Sequence, residues 1–72
     1  MNDQMGQGAL KVIEIIGVST TSFDDAVKQG VAKAAESISG ISNVEVSNMS
    51  AQVRDGQLTQ YRATLRLAFV VR

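Results

Sequence analysis

Seventy-two residues make one small domain, a size at which a single core is marginal without a staple or a partner. The chain has no cysteine and no histidine, which excludes disulfides and thiolate metal sites and makes a zinc centre untenable. Seven basic residues balance seven acidic ones, and no basic stripe marks a nucleic-acid partner.

Residues 1–8 are polar and glycine-containing and read as a disordered tail ahead of a domain over residues 9–72. They have no basic segment followed by an apolar one, so they do not read as a signal peptide. No apolar run is long enough to cross a membrane as a helix. Together these features predict a cytoplasmic protein with no membrane partner. Residues 9–18, Ala9-Leu10-Lys11-Val12-Ile13-Glu14-Ile15-Ile16-Gly17-Val18, are rich in β-branched side chains and predict a strand. Val12 and Ile16 share a face with Glu14, and Ile13 and Ile15 share the other. Neither face is wholly polar, so both call for cover. One helix supplies one side only, and the second side calls for another copy of the chain.

Ser19 to Ser22 is a polar turn. Ser22 suits a helix N-cap, with Asp25 in the position of a capping box and Asp24 and Asp25 complementing the helix dipole. The helix is expected from Phe23 to about Ser37 or Ser39. Phe23, Ala26, Val27, Val31, Ala34, Ala35 and Ile38 form its apolar stripe. Gly30 lies beside that stripe, where a glycine costs about 0.5–1 kcal/mol against alanine. Close packing on a neighbouring element is the expected reason. Gly40 is the expected left-handed stop.

From Ile41 to Arg72 the chain reads as two long strands joined at Arg54-Asp55-Gly56-Gln57. Asp-Gly between alternating runs is a strong hairpin signal, because a type I′ turn needs positive φ at both central residues. Tyr61, Ala63, Leu65, Leu67, Phe69 and Val71 alternate with Gln60, Arg62, Thr64 and Arg66, so the first set faces a core. With Asp55 and Gly56 as the loop, Glu45 opposes Arg66, Ser47 opposes Thr64 and Met49 opposes Arg62. Val44 meets Leu67 and Val46 meets Leu65 on the apolar face. The element order is β-α-β-β. The fold class is α+β, with the third strand between the first two and a three-stranded antiparallel sheet wrapped around one helix. Strands of about 12 to 15 residues exceed the usual 3–10 and overhang the helix, a second sign of self-assembly.

This pattern resembles the dodecins. Lys11-Val12-Ile13-Glu14-Ile15-Ile16-Gly17-Val18-Ser19 followed by Ser22-Phe23-Asp24-Asp25-Ala26 carries the most specific part of the likeness. Val44-Glu45-Val46 and Tyr61-Arg62 through Phe69 carry the rest. The resemblance spans about residues 10 to 72. It implies a hollow spherical homododecamer that stores or sequesters flavin (riboflavin or FMN) without catalytic turnover. In typical members a tryptophan on the second strand stacks on the isoalloxazine ring, and a glutamine on the third hydrogen-bonds its polar edge. Here those positions align with Asn43 and Arg62, and the chain contains no tryptophan. Stacking of this kind is worth roughly 1–3 kcal/mol per ring, so the flavin site is weakened or altered. Tyr61-Arg62 is similar to a subgroup of dodecin-like proteins that lack the tryptophan and are calcium-binding or flavin-free.

Two readings of function follow. In the first, the shell binds and stores a flavin or another small planar or anionic ligand through Asn43, Glu45, Arg62 and Thr64 on the polar strand face. In the second, it is flavin-free and holds a cation such as calcium or magnesium, or is purely structural. Symmetry axes would then gather carboxylates from Glu14, Glu45 or Asp55. Glu14 is the foremost metal candidate, against the alternative that it pairs with Lys11 or with a neighbour's arginine. An enzyme is not expected. With no histidine or cysteine there is no nucleophile and base at diagnostic spacing, and Ser19, Thr20, Thr21 and Ser22 suit turn and cap roles.

Overall fold

The structure, a computed structural model, describes residues 7–71. Apart from Gln7 and Gly8, the predicted tail lies outside the described residues. Four elements follow in order: β1 (Leu10–Ser19), α1 (Phe23–Ala35), β2 (Ile41–Arg54) and β3 (Gln57–Val70). The sheet order is β1-β3-β2, with β3 antiparallel to both neighbours. This is the predicted topology. At the hairpin tip Asp55 has φ 54° and Gly56 φ 76°, the pair of positive values that a type I′ turn requires.

The core is built on the alternation of β3. Ala63, Leu65 and Leu67 are fully buried, beneath Ala26 and Ala34 of the helix. Ile13 and Ile15 of β1, Val27 and Val31 of α1, Ile41 of β2 and Tyr61 of β3 close around them. Phe23 meets Tyr61 edge to face, with ring centroids 5.0 Å apart and planes at 76°, a geometry worth about 0.5–1.5 kcal/mol beyond area burial.

The helix sits close to the sheet because two glycines meet there. A methyl group added at Gly17 of β1 would collide with the Ala26 carbonyl oxygen. One added at Gly30 would come within 2.5 Å of Leu65 Cδ1 and 3.1 Å of Gly17 Cα. Gly30 is thus buried within the apolar stripe and is needed for close packing.

At the start of the helix Ser22 is the N-cap, and its Oγ accepts a hydrogen bond from Asp25 N at 3.0 Å. Asp25 does not complete a capping box. Its Oδ2 instead accepts a bond from Ser19 Oγ at 2.7 Å, while Ser19 Oγ accepts from Thr21 N at 2.9 Å. Ser19 ends β1 on the core-facing phase and is buried, so a carboxylate at that point ties the strand end to the helix start.

Three expectations need correction. The helix ends at Ala35, short of Ser37 or Ser39. Glu36, Ser37 and Ile38 fold back in a turn whose amides donate to Lys33 O and Ala34 O, which swings Ile38 toward partial burial. Gly40 has φ 80°, but it serves the entry into β2 rather than the helix end. Val71 lies beyond β3 and is exposed, because the ladder closes at the Leu10–Val70 pair.

The hairpin register is as predicted from Asn43 to Val46 and again at Val53 and Arg54 next to the turn, but it is shifted by one residue from Asn48 to Gln52 and at Ile41, which opposes Phe69. Val44 opposes Leu67, Glu45 opposes Arg66 and Val46 opposes Leu65. An irregularity then falls between Val46 and Asn48, so Asn48, not Ser47, opposes Thr64, and Ser50, not Met49, opposes Arg62. Ser47 is the extra residue of a bulge, its hydroxyl 3.4 Å from Thr64 O. The slip puts Met49 on the helix side opposite Ala63 and Ser50 on the polar side.

Gly17→Ala should destabilise the fold more than Gly30→Ala. The first would strike the Ala26 carbonyl, whereas the second is met most closely by a side-chain tip, with Gly17 Cα at 3.1 Å, and recovers about 0.5–1 kcal/mol of helix propensity. Overpacking costs of about 1–3 kcal/mol are expected for Gly17→Ala, read as a lowered urea midpoint. Ser22→Ala should cost about 1 kcal/mol in the same assay.

Candidate functional site

The predicted site residues all lie on the sheet face turned away from the helix, because directly opposed residues share a face. Four rows run across the three strands in the order β1, β3, β2: Val12–Ala68–Asn43, Glu14–Arg66–Glu45, Ile16–Thr64–Asn48 and Val18–Arg62–Ser50. Glu14, Asn43, Glu45, Arg62 and Thr64 are therefore neighbours on one surface. Its β1 side is apolar, and its β3 and β2 side is polar.

They do not form one cluster. Asn43 opposes Ala68, six residues along β3 from Arg62, a separation of roughly 20 Å at about 3.3 Å per residue. A single small ligand cannot touch both within one chain. A pocket holding both needs two copies.

The two arginines of this face have different surroundings. Arg66 lies between two carboxylates, Glu14 on β1 and Glu45 on β2, and its Nε is 3.6 Å from Glu45 Oε1. The pair is well exposed and of the kind worth about 0–1 kcal/mol. Arg62 is half-buried and flanked across the strands by Val18 and Ser50. Its Nε donates to Gln60 Oε1 at 2.7 Å. Among the described residues no carboxylate lies within ion-pair distance of it; the ion pairs there are Arg66–Glu45 and Lys33–Glu36.

No group of three acidic side chains that could hold a metal ion occurs among the described residues. Glu14 stands exposed opposite Arg66, so cation binding there needs carboxylates from other copies. Two concavities flank β1. One of about 400 Å³ lies over the strand-to-helix turn, lined by Val18, Ser19, Thr21, Asp25, Gln29 and Gln60. Another of about 410 Å³ runs along the strand beside the helix, with Ile15, Ile16, Gly17, Val18, Gln29 and Lys33 in its wall.

Sequence reasoning missed Gln60 as the holder of Arg62 and Glu14 as the second carboxylate facing Arg66. Spacing by two on β3 signals the first. The second follows once β3 is placed centrally with both registers fixed.

The family model for Dodecin matches residues 9–72. The chain belongs to the dodecin family. Solved dodecins superpose over nearly their whole length. Dodecin from Streptomyces coelicolor is 28% identical with a TM-score of 0.90, the match covering 94% of this chain and 97% of that one. Dodecin from Streptomyces davaonensis is 25% identical with a TM-score of 0.85, over 89% and 94%. The calcium-chelating immunodominant antigen of Mycobacterium tuberculosis, a calcium dodecin with a novel calcium-binding site, is 32% identical with a TM-score of 0.78, over 90% and 93%. No curated protein sequence matches the chain significantly. Dodecins are a non-enzymatic family that binds small ligands, flavins among them, and no helix among the described residues is long and apolar enough to cross a membrane.

Glu45→Ala should change stability by less than about 1 kcal/mol, with the difference shrinking as salt rises, because an exposed pair is weak and screened. Chemical denaturation at low and high sodium chloride measures it.

Proposed function

We propose that this dodecin is a small-ligand binding and storage protein that works as a closed homo-oligomeric shell of twelve copies, with the ligand held where the polar strand faces of different copies meet. The observation that carries this reading is the character of the face opposite the helix. Leu10, Val12, Ile16 and Val18 stand exposed on β1, Ile16 at 60%, beside the polar rows of β3 and β2. Apolar surface of this kind is stabilised by a neighbour, and the same contact brings polar rows of two copies together. The hairpin supports the reading. The molecule is 52 Å long and 20 Å by 14 Å across, whereas a helix of 13 residues covers about 20 Å of that length. Met49, Val53 and Leu58 are exposed on the overhang.

The ligand differs from a simple flavin stack. Asn43 offers an amide where typical family members place an aromatic ring, and Arg62 offers a cation where they place a neutral amide. Flavin binding is accordingly expected to be one to two powers of ten weaker than with a stacked ring, from the loss of roughly 1–3 kcal/mol. A second reading, calcium held by Glu14 or Glu45 carboxylates gathered from several copies, is favoured by the likeness to the calcium-chelating relative.

Size-exclusion chromatography with light scattering should give twelve times the chain mass of 7.7 kDa, and a monomer would refute the shell. The double variant Asn43→Trp, Arg62→Gln should quench riboflavin fluorescence at ligand concentrations about tenfold to a hundredfold lower than the parent; equal titrations would show that these positions do not meet the ring. Calcium should raise the melting temperature of the parent and not of Glu14→Gln if the second reading holds, and a shift common to both proteins or absent from both would remove it.

A further inference from the structure

Resting on the small-ligand reading, we infer that Arg62 is an anion-recognition residue, and that the ligand class suited to this protein is a small planar compound bearing a carboxylate or similar oxyanion rather than a neutral ring. Four observations converge on this residue. Arg62 is half-buried on the central strand, where an uncompensated charge is costly unless a partner arrives. No carboxylate of the described residues pairs with it, whereas Arg66, four residues away on the same strand and face, lies between Glu14 and Glu45. Its Nε is occupied by Gln60 Oε1 at 2.7 Å, which fixes the plane of the guanidinium and leaves the two terminal nitrogens as a fork. That fork matches the two oxygens of a carboxylate. Its cross-strand neighbours are uncharged and of two kinds, a hydroxyl at Ser50 and an apolar side chain at Val18, suited to one oxygen and one ring edge respectively.

Gln60 is then a positioning residue, acting through the orientation it imposes on Arg62. Lysine at position 62 would keep the charge and lose the fork, and glutamine would lose both.

The test uses the full-length protein in its native assembly, with 2-naphthoate as the planar anion, riboflavin as the neutral planar probe and inorganic phosphate as the non-planar anion. Binding is followed by fluorescence, and the assembly state of every variant by light scattering. The parent should bind 2-naphthoate, Arg62→Gln should bind it at least about tenfold more weakly, and Arg62→Lys should fall between them. Gln60→Leu should weaken 2-naphthoate binding by a smaller factor while leaving the assembly intact. Equal affinity in the parent and Arg62→Gln, or no binding by the parent, would overturn the inference. If riboflavin binds the parent in that case, the small-ligand reading still stands. Displacement of 2-naphthoate by phosphate at comparable concentration would overturn the planar class. Loss of assembly in Arg62→Gln and Arg62→Lys alike, matched by Glu14→Gln, would make Arg62 half of an ion pair between copies and would also overturn it.

Discussion

The contact between Gly17 and Gly30 sets the height of the helix above the sheet, and the rest of the packing depends on it. With no side chain on either residue, the two backbones approach until a hypothetical methyl on Gly30 lies 3.1 Å from Gly17 Cα. At that height Leu65 fills the space under Gly30, Ala26 and Ala34 suffice as helix residues over the sheet, and Leu67 completes the core. Larger side chains at the contact would lift the helix and leave the central strand half covered. The close approach thus substitutes for the bulk that a chain of 72 residues does not have.

One helix covers one strand well. Among the described residues the largest fully buried side chains, Leu65 and Leu67, both belong to β3, whereas Val44 and Val46 of β2 remain partly exposed although they point to the helix side. The chain has neither disulfide nor histidine-bound metal to make up the deficit. Apolar burial is the dominant favourable term in folding, and much of the burial this sequence is patterned for lies on surfaces that a single copy leaves open. On the face away from the helix, the exposed Leu10, Val12, Ile16 and Val18 of β1 lie beside the polar rows. Assembly and the proposed ligand contact therefore involve one surface, so a substitution there has to be followed by both assembly and binding.

Most of the fold was legible because it rests on local signals. Asp55-Gly56 dictated the turn, the unbroken alternation from Tyr61 to Phe69 dictated the central strand, and Gly30 announced a close approach through its cost in a helix. The correct pairing of Val44, Glu45 and Val46 followed from the turn and the alternation together. Legibility ended where the ladder is irregular. The bulge at Ser47 is visible in hindsight as a phase slip in β2, where apolar residues fall at Val44 and Val46 and then at Met49 and Ala51. The alternative pairing of Met49 with Arg62 carried its own warning, since it put an apolar side chain on the polar face. At the site, strand parity correctly placed Asn43, Glu45, Arg62 and Thr64 on one face, but parity carries no information on distance along the strand. The roughly 20 Å between Asn43 and Arg62 emerges only from the full register. The bond from Ser19 to Asp25 was hidden because a capping position predicts a partner two or three residues away, not the end of the preceding strand.

The bulge at Ser47 reverses the phase of β2 in mid-strand. From Asn43 to Val46 the even positions of β2 face the helix opposite odd positions of β3, whereas from Asn48 to Gln52 the odd positions of β2 do so. Substitution rules therefore reverse within a single strand: a charge that faces away from the helix at Glu45 would lie on the helix side from Met49, although both numbers are odd. Between Asn43 and Gln52, positions of equal parity on either side of Ser47 face opposite sides of the sheet. A single-residue insertion or deletion elsewhere in β2 would impose one rule on the half built for the other.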